Sequence, residues 1–153
     1  MEPSSPSGEV VLEVKELVKY FPLTTGIVFK RHVGDVKAVD GVSFELHRGE
    51  TLGVVGESGC GKSTLAKLLI QLERPTSGHA MFKGENIYDA KGKALRRLRR
   101  NIQIIFQDPY SSLNPRMTVG DIVGEPFDIH PEVAPKRDRQ RRVQELLDVV
   151  GLN

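Results

Sequence analysis

The chain begins with an alternation of apolar and polar positions that predicts strands with one buried and one exposed face. Residues 10–14 predict the first strand, and Val42, Phe44 and Leu46 alternate with polar neighbours in the second. A period of two is typical of a strand that is covered on one side. Between these strands, residues 22–35 carry Pro, Thr, Gly and a Lys-Arg-His cluster, which predict a loop or insertion.

After residue 50 the pattern changes to apolar runs without alternation. The runs at 52–55 and 102–106 predict two central strands that are covered on both faces. Leucines at 65, 68, 69 and 72 fall at i, i+3, i+4 and i+7, which predicts one face of a helix. Residues 80–82 predict a further short strand, and residues 94–100 predict a basic helix.

Beyond residue 107 the chain predicts a loop at 108–115 and a short helix at 119–123. Pro135 is well placed to begin another helix, and Gly151 is well placed to end it. The apolar stripe of that helix comprises Val143, Leu146, Leu147 and Val150. Antiparallel strands followed by alternating strands and helices predict an α/β core with an N-terminal antiparallel β subdomain.

The composition is that of an ordinary globular protein. The 153 residues can bury one core, and the apolar and charged fractions of 39% and 27% argue against a disordered or fibrous chain. A single cysteine cannot form an internal disulfide, and no apolar run approaches the ~20 residues that span a bilayer. Residues 1–8, rich in Pro and Ser, predict a disordered lead-in rather than a signal peptide.

Two basic clusters stand out against a net charge of only +2. The second spans 136–142, and the first comprises Lys91, Lys93, Arg96, Arg97, Arg99 and Arg100. Contact with phosphate or nucleic acid is one interpretation. No aromatic residues interleave with the basic ones to stack on bases, however. We therefore favour solvated helical faces and expect no nucleic-acid partner.

The strongest chemical signal is the sequence Gly56-Glu-Ser-Gly-Cys-Gly-Lys-Ser63. It matches Gly, four residues, Gly-Lys-Ser/Thr, which is the pattern of a phosphate-binding loop. Glycines let backbone N–H groups approach a phosphate, and the following helix directs its positive end at the same anion. Lys62 adds a charge between the β- and γ-phosphates, and the Ser63 hydroxyl is a hard oxygen ligand suited to Mg²⁺.

Chance is a poor explanation for this motif, because random chains of this length match it in roughly one case in a hundred or fewer. The motif also lies between a predicted buried strand and a predicted leucine-striped helix, which is the context that it requires. The sequence therefore predicts a nucleotide site rather than a glycine-rich turn without a ligand. Kinases, small GTPases and helicases share the motif, so it does not by itself identify the class of protein.

Two further residues are candidates for the same site. Gln107 follows the second predicted central strand, so it should lie at the carboxyl edge of a sheet, where its amide could contact Mg²⁺ or orient a water. Taken alone, it is better explained as a solvated side chain. Cys60 lies inside the loop, so modification of its thiol should block nucleotide binding.

The residues around these motifs resemble the nucleotide-binding domain of ABC transporters. The resemblance is carried by Asp40-Gly-Val-Ser-Phe-Glu-Leu and by Gly53-Val-Val-Gly-Glu-Ser-Gly-Cys-Gly-Lys-Ser-Thr. The stretch Phe106-Gln-Asp-Pro-Tyr-Ser-Ser-Leu-Asn-Pro-Arg-Met-Thr-Val resembles the Q-loop region of the dipeptide and oligopeptide import ATPases. Together the similarity extends over residues 10–153, nearly the whole chain.

This resemblance implies ATP and Mg²⁺ as cofactors and a role for each matching residue. Phe21 would stack on adenine, with Tyr20 as the alternative. Lys62 and Gln107 would be catalytic, and Ser63 and Gln107 would contact the metal. The residues that surround the phosphates would be Gly56, Glu57, Ser58, Gly59, Cys60, Gly61, Lys62, Ser63 and Thr64.

The same resemblance implies partners, a location and a domain organisation. Residues after Gln107 would meet transmembrane permease subunits, and a second ATP-binding subunit would complete a dimer. The protein would lie peripherally on the cytoplasmic face of the cell membrane. After the lead-in, residues 9–107 would form the β subdomain and the phosphate-loop core. Residues 108–153 would form the Q-loop and the start of a helical subdomain. Together these residues would make up a partial nucleotide-binding domain.

Several elements of the family's ATPase site are not found in this sequence. They are the Walker B aspartate, the glutamate that follows it as general base, the switch histidine and the Ser-Gly-Gly-Gln signature. Phosphoryl transfer depends on positioning and charge stabilisation, so a metal held by one serine hydroxyl is poorly placed. We expect a fragment that hydrolyses ATP negligibly alone and aggregates through uncovered strand edges and apolar surface.

The leading interpretation is an ATPase subunit that drives import of dipeptides, oligopeptides or a related small solute. Two alternatives stay open at this point. One is a non-transport ABC-type ATPase, against which the 110–119 stretch argues because it resembles the coupling loop of importers. The other is a truncated nucleotide-binding fragment without ATPase activity.

Overall fold

The computed structural model describes residues 8–25, 31–108 and 112–152. The described residues form two compact units, of which one ends at Ile104 and the other begins at Ile105. Residues 1–7 of the predicted lead-in lie outside the described part of the chain, and its last residue, Gly8, lies within it. Within the described ranges, none of the helices is both long enough and apolar enough to cross a bilayer.

The described part of the first unit contains a four-stranded antiparallel sheet, in the spatial order β2-β1-β3-β4. The strands are β1 (Val10–Thr25), β2 (Arg31–His47), β3 (Ser77–Phe82) and β4 (Glu85–Asn86). The predicted antiparallel β subdomain is therefore confirmed. The alternation predicted for the second strand is realised in β2, where Phe44 pairs with Val14 and Leu46 pairs with Leu12.

The prediction of a loop over residues 22–35 is wrong for both of its ends. Pro22 pairs with Asp35 and Leu23 pairs with Gly34, so that β1 and β2 continue as a hairpin. Proline is tolerated there because β3 pairs with β1 only between Leu12 and Val18, which leaves the other edge of β1 open beyond that point. Residues 26–30 lie outside the described part of the chain.

The hydrophobic core of the first unit lies between this sheet and helix α1 (Lys62–Leu69). Leu17, Leu68 and Ile87 are fully buried there, each at 0% exposure. Burial of one such side chain contributes about 1.5–3 kcal/mol to folding. The remaining buried members are Leu12, Val14, Val39, Leu65 and Ala80.

Helix α1 ends earlier than the leucine pattern predicts. Leu65 and Leu68 are buried as expected, whereas Leu72 lies outside the helix and is 51% exposed. The chain leaves the helix at Ile70 and Gln71, whose φ is 55°. Arg99, on the basic helix α2 (Gly92–Asn101), donates to the Ile70 and Gln71 carbonyls at 3.2 and 2.9 Å. These bonds satisfy carbonyl groups that a helix end leaves without partners.

Neither of the two predicted central strands is present in the described structure. Residues 52–55 and 102–106 form no strand, and Val55 and Ile105 are 94% and 96% exposed. A strand needs a neighbour that supplies hydrogen-bonding partners, and the antiparallel sheet includes neither segment. The apolar character of both segments is real, but it does not identify a pairing partner.

Helices α3 (Val119–Ile129) and α4 (Arg139–Val149) lie in the second unit, with a 3₁₀ turn at Lys136–Asp138. Helix α3 begins where the sequence predicts it and continues six residues past Val123. Thr118 caps it, because the Thr118 hydroxyl accepts from the Asp121 N–H at 3.1 Å while the Asp121 carboxylate accepts from the hydroxyl at 2.7 Å. These bonds hold the pKa of Asp121 below its ordinary value.

The predicted start and end of the last helix are confirmed, and two of the four residues of its predicted apolar stripe are half-buried. Pro135 precedes the 3₁₀ turn that leads into α4, and Gly151 ends the helical region with a φ of 75°. Val143 and Leu147 are half-buried, while Leu146 and Val150 are exposed. Arg139 at the start of α4 pairs with Asp128 near the end of α3, which joins the two helices.

Candidate functional site

The phosphate-binding motif forms an exposed loop that leads directly into α1. Residues 56–60 are exposed, and Gly61 occupies the N-cap position with a φ of 99°. A side chain at Gly61 would place its Cβ 2.0 Å from the carbonyl oxygen of Ala38 in β2. Gly59 also has a positive φ, of 83°. Glycine at position 61 is therefore required both by its conformation and by the close approach of β2.

Lys62 folds back over this loop. Its ammonium group donates to the carbonyl oxygens of Gly56 and Glu57, at 2.7 Å each, and lies 3.5 Å from the sulfur of Cys60. A lysine has three donors and can rotate among partners. The lysine therefore supports the shape of the loop and places a positive charge at its centre.

The start of α1 has the properties of an anion site. The first turn of any α-helix leaves backbone N–H groups without intrahelical acceptors, and α1 has no side-chain cap and no acidic residue in that turn. The helix dipole adds a partial positive charge at the same end. Lys62 stands beside these N–H groups as the first residue of the helix. A phosphate chain is the anion that this arrangement suits.

The donor set at the same point fits Mg²⁺ held together with phosphate. The Ser63 side chain is exposed in the first turn of α1, and Thr64 is half-buried next to it. Mg²⁺ typically takes few protein ligands, and completes its octahedron with waters and phosphate oxygens. The described residues contain no group of three or more His, Cys, Asp and Glu side chains that could hold a metal ion. A metal at this point would therefore depend on phosphate oxygens and waters for most of its ligands.

A cavity of about 300 Å³ lies between the loop and β2. The loop contributes Cys60, Gly61 and Lys62 to its lining. The rest of the lining comes from Lys37, Ala38, Val39, Asp40, Val42, Val54, Val55 and Leu65. Lys37 and Asp40 were not predicted as site residues, because only the tertiary packing of β2 against the loop brings them to the cavity.

The two adjacent aromatic residues of β1 have different surroundings. The Tyr20 hydroxyl donates to the Asp40 carboxylate, and Lys37 lies 5.1 Å from the centre of the Tyr20 ring. This bond raises the pKa of Tyr20 and lowers that of Asp40. The half-buried Phe21 is covered by Lys19, whose ammonium is 4.7 Å from the ring centre. Tyr20 therefore contacts two residues that line the cavity, and Phe21 contacts a lysine of its own strand.

Gln107 is an exposed residue of the second unit. The expectation that it follows a strand at the carboxyl edge of a sheet is wrong for the described structure, because residues 102–106 are not paired. Of the predicted coupling stretch, Tyr110 and Ser111 lie outside the described residues, together with Pro109. The structure therefore joins the loop residues and Lys62 in one site, while the role of Gln107 stays a prediction.

Modification of Cys60 should lower the affinity for MgATP by about tenfold or more, equivalent to ~1.4 kcal/mol. Its sulfur is exposed, lies 3.5 Å from the Lys62 ammonium and is the only thiol in the chain. A methanethiosulfonate adduct would therefore occupy the phosphate position. Calorimetric titration before and after labelling measures the change, with Cys60→Ser treated identically as control. Labelled protein that keeps its affinity would contradict the prediction.

Comparison with protein families and curated proteins gives consistent results. The family model described as ABC transporter matches residues 39–153. The oligopeptide transport ATP-binding protein AppF of Bacillus subtilis is 53% identical over 146 residues, which cover 95% of this chain and 44% of AppF. The dipeptide transport ATP-binding protein DppF of Haemophilus influenzae is 50% identical over 138 residues, covering 89% of this chain and 41% of DppF. The chain thus spans less than half the length of these relatives.

Solved structures show the same fold. One is the ATP-binding cassette MJ0796, determined as a dimer in a post-hydrolysis state bound to ADP and Pi. It superposes on this chain with a TM-score of 0.70 at 24% identity, and the match covers 90% of this chain and 56% of MJ0796. The cbiO1 protein of Clostridium perfringens, part of the cbiONQ transporter complex, gives a TM-score of 0.64 at 28% identity, covering 94% and 51%. Because the family model matches most of the sequence, this chain belongs to the ABC transporter family.

Proposed function

We propose that this chain is part of an ATP-binding subunit that couples ATP binding and hydrolysis to the import of dipeptides or oligopeptides. The observation that carries the proposal is the loop in which Lys62 bonds two backbone carbonyls beside the uncapped start of α1. The peptide substrate is supported by relatives near 50% identity, whose names assign them to oligopeptide and dipeptide transport. ATP and Mg²⁺ are the proposed cofactors.

The phosphates of ATP would lie along the loop from Gly56 to Thr64. Backbone N–H groups at the start of α1 would donate to the β-phosphate, because that is where the helix leaves donors without partners. Lys62 would exchange a loop carbonyl for a phosphate oxygen when the nucleotide binds. The Ser63 hydroxyl would be the protein's ligand to Mg²⁺, and Gln107 would reach the metal and the γ-phosphate.

The adenine would stack on an aromatic residue of β1. Phe21 is the proposed residue, since it matches the family's aromatic position, and Tyr20 is the alternative. The structure supports considering both. Tyr20 is tied to Asp40 and lies beside Lys37, which both line the cavity at the loop. Phe21 has its ring next to Lys19, which also pairs with Glu73 at 3.3 Å.

The proposed partners are transmembrane permease subunits and a second ATP-binding subunit. A groove of about 800 Å³ in the second unit supports the first of these. It combines apolar Met117, Ile129 and Val143 with the ion pair of Arg139 and Asp128, which suits a partner segment with both kinds of side chain. Dimerisation is supported by the dimeric cassette with the same fold. The location would be the cytoplasmic face of the membrane.

This chain by itself is proposed to bind nucleotide with negligible turnover. Catalysis in this family needs a general base and a signature sequence that these 153 residues do not include. The alternative of a non-transport ABC-type ATPase is disfavoured by the names of the relatives, which are transport proteins. Turnover by the chain alone that disappears in Lys62→Ala would contradict the proposal of inactivity.

Deletion of the gene that encodes this chain should abolish uptake of labelled di- and oligopeptides. Uptake of the corresponding free amino acids serves as the matched control, because it needs no peptide importer. Complementation with the intact gene should restore peptide uptake, and the Lys62→Ala gene should not. Peptide uptake that is unchanged in the deletion strain would refute the importer assignment, while leaving nucleotide binding to be measured on the protein itself.

A further inference from the structure

The two basic clusters of the sequence differ in how the structure treats their charges. In the second cluster, Arg141 and Arg142 both pair with Glu145, at 2.6 and 3.0 Å, and Arg139 pairs with Asp128. Arg137 lies 3.6 Å from Asp138. Each of these arginines therefore has a carboxylate of its own unit beside it, which accounts for the cluster as a set of surface ion pairs.

The first cluster is arranged differently on α2. Lys93, Arg96, Arg97 and Arg100 recur at i, i+3, i+4 and i+7, which places them on one face of the helix. We call these four residues the basic stripe. All four are exposed. Arg97 has a carboxylate nearby, that of Glu85 at 3.8 Å, and both side chains are highly exposed. Across the described ranges, no carboxylate comes within 4.0 Å of Lys93 or Arg96.

The opposite face of α2 accounts for the stable position of the helix. Leu98 packs against the core of the first unit, and Leu95 is half-buried. Arg99 is occupied by the carbonyls at the end of α1. These contacts orient α2 so that the basic stripe points away from the core.

The stripe does not help α2 to fold. Like charges at i, i+3 and i, i+4 repel one another and destabilise a helix. Lys93 also lies in the first turn, where no acidic residue is present and where a positive charge opposes the helix dipole, whereas Arg100 lies in the last turn, where a positive charge favours it. An arrangement that costs stability and recurs with helical spacing indicates a negatively charged partner outside the molecule.

We propose that the basic stripe binds the anionic headgroups of a phospholipid bilayer. Basic residues on a helix surface attract anionic lipid, and each residue near the membrane surface contributes about 1 kcal/mol. This free energy corresponds to a ~5-fold change in the partition coefficient per residue. Arginine suits phosphate because its guanidinium can donate two parallel bonds to it. The leucines of α2 face the core, so the contact is electrostatic, without insertion of apolar side chains. The proposed function locates the protein at the cytoplasmic face of a membrane, where such headgroups are present.

Vesicle flotation tests this proposal, because floated vesicles separate bound protein from any aggregate. The intact chain should float with vesicles of phosphatidylcholine and phosphatidylglycerol, and not with phosphatidylcholine alone. Binding should disappear near 1 M salt, where the Debye length falls to about 3 Å. Flotation with neutral vesicles, or binding that persists at high salt, would overturn the electrostatic contact.

A pair of matched variants locates the contact. The stripe variant carries Lys93→Gln, Arg96→Gln and Arg97→Gln, and the control carries Arg137→Gln, Arg141→Gln and Arg142→Gln. Both lose three positive charges, and glutamine is a good helix former. The stripe variant should lose roughly 100-fold in partition at low salt, and the control should bind like the unaltered chain. Equal losses in both variants would overturn the assignment to the stripe.

Other anionic partners are outcomes of the same experiment. Stronger binding to poly-glutamate beads, or to double-stranded DNA, than to the anionic vesicles would assign the stripe to an acidic protein or to nucleic acid and overturn the lipid proposal. The inference goes beyond the proposed function and rests on it only for the location at a membrane. None of the three substituted stripe residues lines the cavity at the phosphate loop. The stripe variant should therefore still bind MgATP. Flotation tests the lipid proposal, and MgATP binding tests the proposed function separately.

Discussion

Replacement of Lys62 by alanine should weaken binding of MgATP by about 100-fold or more. Hydrogen bonds to charged groups contribute about 1.5–3 kcal/mol each, and ~2.7 kcal/mol corresponds to 100-fold in Kd. The substitution removes the positive charge from the centre of the loop. It also removes two 2.7 Å bonds to the Gly56 and Glu57 carbonyls, so the free loop loses an internal support.

The control for this prediction is Lys67→Ala. Lys67 lies on the same helix, in its last turn, and its side chain is exposed. It therefore removes the same charge from α1 without touching the loop. Isothermal titration calorimetry of both variants measures the difference directly. Equal affinities for Lys62→Ala and the unaltered chain would show that the loop does not hold the phosphates through this residue.

Replacement of Gly78 by alanine should destabilise the first unit by about 2–5 kcal/mol, because a forced clash costs about 1–3 kcal/mol and the left-handed φ about 1–2 kcal/mol. Gly78 has a φ of +81°, and a Cβ there would lie 2.1 Å from the carbonyl oxygen of Glu16. The same Cβ would lie 2.7 Å from the Cα of Leu17, which is fully buried in the core. Neither neighbour can move without disturbing the irregular pairing of β1 with β3.

Gly84 offers a control with the same backbone conformation. Its φ is also +81°, but a Cβ there would meet no atom within 4 Å. Gly84→Ala should therefore cost only the conformational strain, about 1–2 kcal/mol. Urea unfolding followed by circular dichroism compares the two variants. If both lose the same stability, the clash with β1 contributes nothing and the prediction for Gly78 is wrong.

Much of the local structure could be predicted from the sequence. The basic helix, the strand at 80–82 and the start of α3 were all confirmed, because each depends on a pattern within a few turns of chain. The capping pair of Thr118 and Asp121 also has a sequence signature, Thr-x-x-Asp before an apolar residue. The end of α1 was misplaced, because Leu72 continues the helical spacing after the chain has already turned away at Gln71.

The errors in the strand predictions share one cause, which is that strand pairing is decided by distant partners. Apolar runs at 52–55 and 102–106 have the composition of central strands, yet the described sheet offers them no neighbour. Residues 31–35 have the composition of a loop, yet they pair with residues 22–25 of β1 and extend the hairpin. The composition of a segment indicates whether it could form a strand. Whether it does so depends on whether a neighbouring strand is available to pair with it.

By itself, the sequence determined the phosphate loop, since the glycines, Lys62 and Ser63 act within eight consecutive residues and their chemistry needs only local geometry. Only the tertiary structure decided what surrounds the loop. Long-range packing places Ala38 against Gly61 and brings Lys37 and Asp40 to the cavity. It also pairs the arginines of one basic cluster with carboxylates and turns the basic stripe of α2 away from the core, because charges separated along the chain meet only when the elements that carry them fold together.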